Sequence, residues 1–351
     1  MDIVKILLGK GANIDLHKGQ SSFRTGTVGD CYTPLEAAVV IGDIEMAQYL
    51  LTNGAEVVNA GKRTSLLSTA ASKGNEAILG ILLNAGADID YGDDSTEPPL
   101  FRAIAEQQLG SMKFLIEAGA NVKAQRCLNT YIYKLASGPA ITPLSAAVWR
   151  GFEDGVRLLL EYQVDIHATS KFSNQNPESP LHTAARQGFG HIARQLLEYG
   201  ANVNEQIEEG WTPLHFAARC PSNEVVRLLV EEFKANVSLT LLNGSQAIHS
   251  AANAQHVHGQ TGAVVSTLIE AGTDVNVCNG NGRTPLHWAG ERGNLLAVQT
   301  LLERGARIDI REEETNMTPL DIAKMKFMAE PEYSWSWKHR KQILEELEKR
   351  V

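Results

Sequence analysis

The sequence is poor in the residues that build covalent or metal-bound frameworks. Its 351 residues include only four cysteines, Cys31, Cys127, Cys220 and Cys278, and these are far apart. Such spacing indicates neither a disulfide framework nor a ligand cluster, so a reducing compartment, cytoplasm or nucleus, is expected. No apolar run reaches the roughly 18 residues of a membrane helix, and the first residues form no secretory signal. We therefore expect no membrane segment.

The motifs of catalysis and cofactor binding are also missing. Gly280-Asn281-Gly282 lacks the third glycine of a dinucleotide fingerprint, and Gly9-Lys10-Gly11 lacks the spacing of a phosphate loop. There is no Gly-x-Ser-x-Gly elbow and no His-Glu-x-x-His motif. We expect no catalytic residue, no cofactor and no metal. The formal net charge of -9 makes nucleic acid a poor candidate partner.

A short phrase recurs along the chain. It reads Thr/Ser-Pro-Leu followed by a polar residue, at residues 33–36, 142–145, 179–182, 212–215, 284–287 and 318–321. Degenerate copies stand in the same frame at residues 65–68, 98–101 and 246–249. Self-similarity of this kind indicates a repeat architecture of nine units.

Each phrase has the chemistry of a helix start. A Thr or Ser hydroxyl accepts from a first-turn N–H, and Pro suits the first helical position because its N–H is not needed there. The polar fourth residue is placed to reach back to the cap, as His, Glu36 or Asp321 can. The phrase therefore predicts a capped helix in every unit.

The remainder of each unit predicts a second helix. Small residues such as Ala184-Ala185 and then a glycine such as Gly188 follow the phrase, and an apolar helical run ends on Gly-Ala, as at 200–201. Small side chains permit close helix packing, and the glycine ends the first helix. Caps are separated by 32 to 44 residues with a basic period of 33, so longer spacings mark insertions.

These features together resemble the ankyrin-repeat family. The resemblance rests on the Thr-Pro-Leu-His start, the Gly-Ala pair and tails such as Asn202-Val203-Asn204 and Asp274-Val275-Asn276. It implies an all-α ankyrin-repeat solenoid of helix-turn-helix units with short β-hairpin or loop fingertips. We expect one ankyrin-repeat domain over 1–351, with a partial repeat at 1–15 and repeats over 33–327. Insertions fall at 16–32, 123–141, 167–178 and 253–262.

The two ends differ in their patterns. Residues 3–15 match a second helix and tail without a first helix before them. One hypothesis is therefore that the chain is the C-terminal ankyrin region of a larger enzyme or signalling protein truncated upstream of Met1. Residues 328–351 form a C-terminal insertion and a helix whose apolar residues are Ile343, Leu344 and Leu347, which is typical of a capping helix.

Four histidines, His182, His215, His249 and His287, stand in register at the fourth position of the phrase. A row of histidines suggests a metal ladder, but ligands must converge within about 2.1 Å of one ion. Equivalent residues of stacked repeats lie roughly 10 Å apart. Capping is the preferred interpretation.

The resemblance also implies a concave binding surface. Its positions are the residue before each phrase and the two residues before the helix-ending glycine. In the middle repeats these positions include two tryptophans and three arginines: Trp149, Arg150, Arg186, Trp211 and Arg219. Trp and Arg are enriched in binding hot spots, and Arg pairs with carboxylates. We predict a groove for an acidic or aromatic protein segment; the alternative is that the tryptophans pack between repeats and the arginines are solvated.

Two of the long fingertips carry further candidates. Tyr131, Tyr133 and Phe172 lie in the insertions at 123–141 and 167–178. Long loops on a rigid scaffold often carry function, although solenoids also tolerate drift in loop length. The predicted function is an intracellular protein-interaction scaffold or adaptor, and the sequence leaves its oligomeric state open.

Overall fold

The computed structural model describes residues 2–16, 33–57, 65–92, 97–125, 141–170, 177–220, 222–254, 259–329 and 335–350. These residues fall into two compact units, unit 1 (residues 1–165 and 170–175) and unit 2 (residues 166–169 and 176–351). The helices of unit 1 are α1 Asp2–Gly9, α2 Pro34–Ile41, α3 Ile44–Thr52, α4 Leu66–Lys73, α5 Glu76–Asn84, α6 Pro99–Ala105, α7 Leu109–Glu117, α8 Pro143–Trp149 and α9 Glu153–Glu161.

Unit 2 continues the same alternation of helices. Its helices are α10 Pro180–Gln187, α11 Gly190–Glu198, α12 Pro213–Arg219, α13 Asn223–Arg227, α14 Ala247–Ala252, α15 Thr261–Glu270, α16 Pro285–Arg292, α17 Leu295–Glu303, α18 Pro319–Met328 and α19 Trp335–Glu348. Within each unit the first helix of a repeat packs on the second helix of that repeat and on the first helix of the next. The all-α helix-turn-helix prediction is confirmed, and no strand forms in the residues that the structure describes.

The first helices begin at the recurring phrase because its side chains cap them. The Thr33 hydroxyl accepts from the Glu36 N–H at 3.2 Å, while the Glu36 carboxylate accepts from the Thr33 N–H at 2.7 Å. Thr318 and Asp321 form the same reciprocal box. Each box satisfies two N–H groups that a helix start leaves without an intrahelical partner.

Left-handed residues end the helices. Gly42, Gly74, Gly188 and Gly293 adopt φ between 74° and 83° directly after a first helix, as predicted. The second helices end on another left-handed residue, which is Gly200 in the repeat of α11 (φ 98°). Two repeats place Gln163 (φ 50°) and Lys234 (φ 56°) at that position, where a side chain is strained.

The core of each unit lies between its helix layers. The leucine of the phrase is buried in five of the six complete copies, with Leu35, Leu144, Leu181 and Leu286 each 0% exposed, while Leu320 of the last copy is half-buried. The small pair Ala184-Ala185 is also 0% exposed, where α10 packs on α12. Small side chains at this position allow the first helices of successive repeats to approach closely.

One second helix contains an extra residue. The caps at Thr212 and Gln246 are 34 residues apart, one more than the basic period. After α13 the backbone winds as a π-helix over Leu228–Glu232, while Leu229 and Ala235 remain buried. The π-turn therefore absorbs the insertion and keeps the buried face in register.

The described fingertips of unit 2 are turns closed by backbone hydrogen bonds. The N–H groups of Ile207, Leu241 and Asn279 donate to the carbonyls of Trp211, Ser245 and Arg283 at 2.9–3.0 Å. Adjacent fingertips are joined as well, because the Leu242 N–H donates to Glu209 O and the Gly280 N–H to Asn243 O, both at 2.9 Å. These bonds fix the residue that stands just before each phrase.

The helices α1 and α19 lack the usual pairing of a complete repeat. Ile3 and Leu7 of α1 are 75% and 52% exposed, whereas their equivalents in α11, Ile192 and Leu196, are 1% and 0% exposed. At the other end α19 packs on α17 and α18, with Ile343 and Leu347 buried.

Candidate partner-binding surface

The in-register histidines position the candidate surface. The His215 Nδ1 atom accepts from the Thr212 N–H at 3.4 Å, and the Nε2–H donates to Ser245 O at 3.2 Å. His249 and His287 cap their own helices in the same way. The capping prediction is confirmed for these three histidines, and the sequence did not reveal the second hydrogen bond, which reaches the following repeat.

Each of these bonds ends on the residue before the next phrase. His182 bonds to Trp211 O at 3.2 Å, while His182 Nδ1 lies 2.7 Å from the hydroxyl of its cap, Ser179. His249 bonds to Arg283 O at 3.1 Å. Trp211 and Arg283 are therefore held by the repeat that precedes each of them.

Three positions of each repeat form what we call its triad: the residue before the N-cap and the residues four and seven after it. The first four triads of unit 2 are Glu178/Thr183/Arg186, Trp211/Phe216/Arg219, Ser245/Ser250/Asn253 and Arg283/Trp288/Glu291, and Met317/Ile322/Met325 follows them. The last two members lie about one helical turn apart on the same face of the first helix.

The first triad pairs its arginine internally. Glu178, 4% exposed, accepts from Arg186 Nε at 2.9 and 3.0 Å and from the Thr183 hydroxyl at 3.1 Å. Arg186 was predicted as a partner-binding residue, and the structure places it against a carboxylate of its own repeat. A buried ion pair stripped of one member is costly, so Arg186 has a structural role of its own.

The second triad replaces the carboxylate with aromatic rings. The Trp211 ring lies 4.9 Å from the Phe216 ring, centroid to centroid, and the Arg219 guanidinium lies 5.4 Å from the Trp211 centroid. Arg219 is exposed, and no carboxylate among the described residues forms an ion pair with it. Partial desolvation of its guanidinium, and after it the nearby charge of Arg292, lower the pKa of Arg219.

The fourth triad is charged and internally balanced. The Arg283 guanidinium lies 4.6 Å from the Trp288 ring, 2.6 Å from Glu291 and 2.9 Å from Glu312. Although burial opposes it, Arg283 and Lys326 hold the pKa of Glu291 below its ordinary value. This triad thus reverses the charges of the first triad and leaves them paired.

The third triad consists of small polar side chains and lies between two triads whose side chains are larger. Ser245 and Ser250 are 4% and 5% exposed. Arg292, from the following repeat, donates its Nε–H to Asn253 Oδ1. Arg219 precedes this row and Arg292 follows it, so two positive charges border a floor of small polar residues.

The remaining predicted residues lie elsewhere. Trp149 and Arg150 are half-buried at the end of α8 in unit 1, where Arg150 O accepts from Gln107 Nε2 at 3.2 Å. Tyr131, Tyr133 and Phe172 lie outside the described residues. Only Arg186, Trp211 and Arg219 of the predicted set therefore stand together on successive repeats of unit 2.

Sequence reasoning missed Phe216 and Trp288. Both occupy the triad position four residues after the N-cap, which is not among the surface positions that the resemblance to ankyrin repeats implies. The signal was present, because a large aromatic residue stands there in two repeats where others have Thr183 and Ser250.

A cavity lies on the second-helix layer of unit 2. A cavity of about 680 Å³ opens beside α11, α13 and α15. Its lining includes two arginine–glutamate pairs, Arg194–Glu232 at 2.5 Å and Arg227–Glu231 at 2.9 Å. Because these charges already pair with one another, the cavity is a weaker candidate than the Trp211 triad.

Among the described residues, no group of three or more His, Cys, Asp or Glu side chains is arranged to hold a metal ion. None of their helices has the length and apolar character needed to cross a bilayer.

Comparison with known proteins identifies the family. The model for ankyrin repeats (3 copies) matches residues 35–126, 144–241 and 233–312. The chain belongs to the ankyrin-repeat family. Ankyrin repeats generally mediate protein–protein interaction and are generally non-catalytic.

Relatives of the ankyrin-repeat chain occur in much larger proteins. It is 30% identical to human transient receptor potential cation channel subfamily A member 1 over 247 residues, 68% of this chain and 21% of the channel. It is 25% identical to the Arabidopsis thaliana E3 ubiquitin-protein ligase KEG over 338 residues, 90% of this chain and 20% of the ligase. Human neurogenic locus notch homolog protein 1 is 31% identical over 151 residues, 43% of this chain and 6% of that protein. The chain spans about a fifth or less of these relatives.

Proposed function

We propose that this ankyrin-repeat chain is a non-catalytic, intracellular protein-interaction scaffold, and that the Trp211/Phe216/Arg219 triad of unit 2 is the centre of its partner-binding surface. Trp and Arg dominate interface hot spots because they combine a large contact area with directional polar contacts. The surface lies on first helices held by the histidine bonds between repeats, which gives it a preorganised backbone.

One observation carries this proposal. At the same two triad positions where Glu178 holds Arg186, the next repeat has Trp211 beside Arg219 and no carboxylate. The Arg219 charge is therefore not neutralised by an ion pair within the described chain. An exposed guanidinium stacked on an aromatic ring is ready to bind an acidic or aromatic group from a partner.

The proposal is tested by comparing proteins captured by the full chain and by two variants. Trp211→Ala removes the stacking platform, whereas Tyr199→Ala removes an aromatic ring that is 51% exposed at the end of α11. We expect a partner whose recovery falls at least tenfold with Trp211→Ala and is unchanged with Tyr199→Ala. Circular dichroism of both variants checks that the helices are retained.

A partner retained equally by Trp211→Ala would show that another surface mediates binding. Trp149→Ala tests the predicted residues of unit 1, and its recovery of the same partner is measured in the same way. Loss of binding with Trp149→Ala alone would move the site to unit 1 and contradict the assignment to the Trp211 triad.

A second candidate function is that the chain acts as the recognition or regulatory region of a larger enzyme or signalling protein. It is favoured by the relatives, which include a channel and a ubiquitin ligase several times longer than this chain.

The size of the endogenous protein separates the two candidates. An antibody against unit 2 should detect a band well above 38.2 kDa if the chain is part of a larger protein. A single band near 38.2 kDa in cells that express the chain would contradict the second candidate and leave the first unaffected.

A further inference from the structure

We propose that the partner group bound beside Arg219 is the carboxylate of an aspartate or glutamate in a peptide segment, seated above Asn253 between Arg219 and Arg292. This inference rests on the proposed function, since it names the chemistry recognised at the same surface. It goes further by specifying one group and the residues that hold it.

The position follows from the arrangement of the triads. Asn253 occupies the same triad position as Arg219, seven residues after the N-cap, in the following repeat. Its amide oxygen accepts from Arg292 of the repeat after that. Desolvation is the larger cause of the lowered pKa of Arg219, and the positive charge of Arg292 lowers it further, so the two guanidinium groups repel each other. Like charges this close favour an anion between them because it lowers their mutual repulsion.

The floor of this position is small and polar. Ser245, Ser250 and Asn253 replace the large side chains that fill the triads on either side, Trp211 with Phe216 before them and Arg283 with Trp288 after them. An extended peptide side chain can enter above such a row without displacing a large residue. The rings of Trp211 and Phe216 would lie beside the peptide backbone.

The identity of the group follows from the neighbouring repeats. Where the structure places an arginine in a triad, it supplies a carboxylate: Glu178 for Arg186, and Glu291 with Glu312 for Arg283. Arg219 is the triad arginine of unit 2 for which the described chain supplies none. A partner carboxylate at this point would give Arg219 the ion pair that the other two triad arginines have within the chain. A carboxylate can accept two parallel N–H···O bonds from one guanidinium.

The test uses a display library of random twelve-residue peptides selected on the full chain. We expect the selected peptides to share one Asp or Glu, and to bind at least tenfold more weakly when that residue becomes Asn or Gln. Arg219→Gln should weaken the acidic peptide to a similar degree without affecting its amide version. Arg227→Gln, which alters an exposed arginine on the second-helix layer, is the matched control.

Reversing the charge at position 219 gives a second test of the carboxylate. Selection on Arg219→Glu should enrich Lys or Arg at the position where the unmodified chain enriches Asp or Glu. Amide protection in α12, measured by hydrogen exchange, shows that each variant is folded. A double-mutant cycle between Arg219 and the peptide carboxylate should give a coupling that is absent for Arg227.

Different failures point to different conclusions. Peptides that bind but are insensitive to Trp211→Ala would overturn the proposed function itself. Peptides that require Trp211 yet show no acidic preference would overturn only the carboxylate inference. A phosphoserine in place of the acidic residue that binds more tightly than Asp or Glu would also overturn it, because the arginine pair would then be selecting a phosphate.

Discussion

At the scale of single residues, Gln163 and Lys234 stand where the other repeats have glycine. Their φ values of 50° and 56° lie in the left-handed region, which costs about 1–2 kcal/mol for a residue with a Cβ atom. Glycine removes that strain but adds entropy to the unfolded chain, about 0.4–1 kcal/mol. We expect Lys234→Gly to raise the free energy of unfolding by about 0.5–1 kcal/mol, measured by urea denaturation.

The reverse substitution supplies the control. Gly200 has φ 98° and open space around the position of an added Cβ, so Gly200→Ala tests backbone conformation without a steric clash. It should lower the free energy of unfolding by about 1 kcal/mol. If Gly200→Ala is neutral, left-handed strain is not what distinguishes this position, and the gain expected for Lys234→Gly loses its basis.

Residue roles were predictable where they are local. A Thr hydroxyl reaches an N–H three residues away, so the caps at Thr33 and Thr318 could be predicted from spacing alone. The pairing of Glu178 with Arg186 could not, because eight residues separate them and only the fold brings them together. The same limit hid the stacking of Arg219 on Trp211.

At the scale of helices, α19 should depend on its two buried residues. Ile343 and Leu347 are 1% and 0% exposed where α19 packs on α17 and α18. Truncating Leu347 leaves a cavity, and buried Leu→Ala changes cost about 2–5 kcal/mol. We expect Leu347→Ala to reduce amide protection across α17, α18 and α19, measured by hydrogen exchange.

Glu345→Ala is the matched control on the exposed side of α19, and it should change stability by less than about 0.5 kcal/mol. Equal effects of the two substitutions would mean that α19 is held by its polar contacts, such as Arg340 Nη1 to Glu291 O at 2.9 Å, and not by its apolar face.

Helix existence was more predictable than helix geometry. The 34-residue spacing between Thr212 and Gln246 signals one extra residue but not where the backbone accommodates it. The π-helix at Leu228–Glu232 is a tertiary solution, because Leu229 and Ala235 must both reach the core. Periodicity describes which face is buried and does not distinguish a π-turn from a loop insertion.

At the scale of the whole molecule, the two units differ in the residue at the fourth position of the phrase. Four of the five phrases of unit 2 have a buried histidine there, His182, His215, His249 and His287, and the last has Asp321. Unit 1 has Glu36, Ser68, Phe101 and Ser145 at the corresponding positions. Burial lowers the pKa of His182, His215 and His249 to about 4, and it lowers the pKa of His287 as well.

This difference predicts that mild acid destabilises unit 2 selectively. An unfolded histidine takes up a proton near pH 6.5, whereas the folded ones stay neutral until about pH 4. Stability contributed by the neutral form is therefore complete above pH 6.5 and is lost as the pH falls toward 4. The loss is on the order of 3 kcal/mol for each histidine whose pKa falls to about 4. Protonation at Nδ1 would also set an N–H against the cap N–H that it now accepts from.

Hydrogen exchange at pH 7 and pH 5, corrected for the intrinsic pH dependence of exchange, measures the effect along the chain. Amides of α10 to α17 should lose protection at pH 5 while those of α4 to α9 keep theirs. His249→Gln should flatten the pH dependence in α14 and α16, whereas His191→Gln, which alters an exposed histidine of α11, should leave it unchanged. Equal loss of protection in both units would show that the carboxylates common to them, and not the histidine row, determine the response to acid.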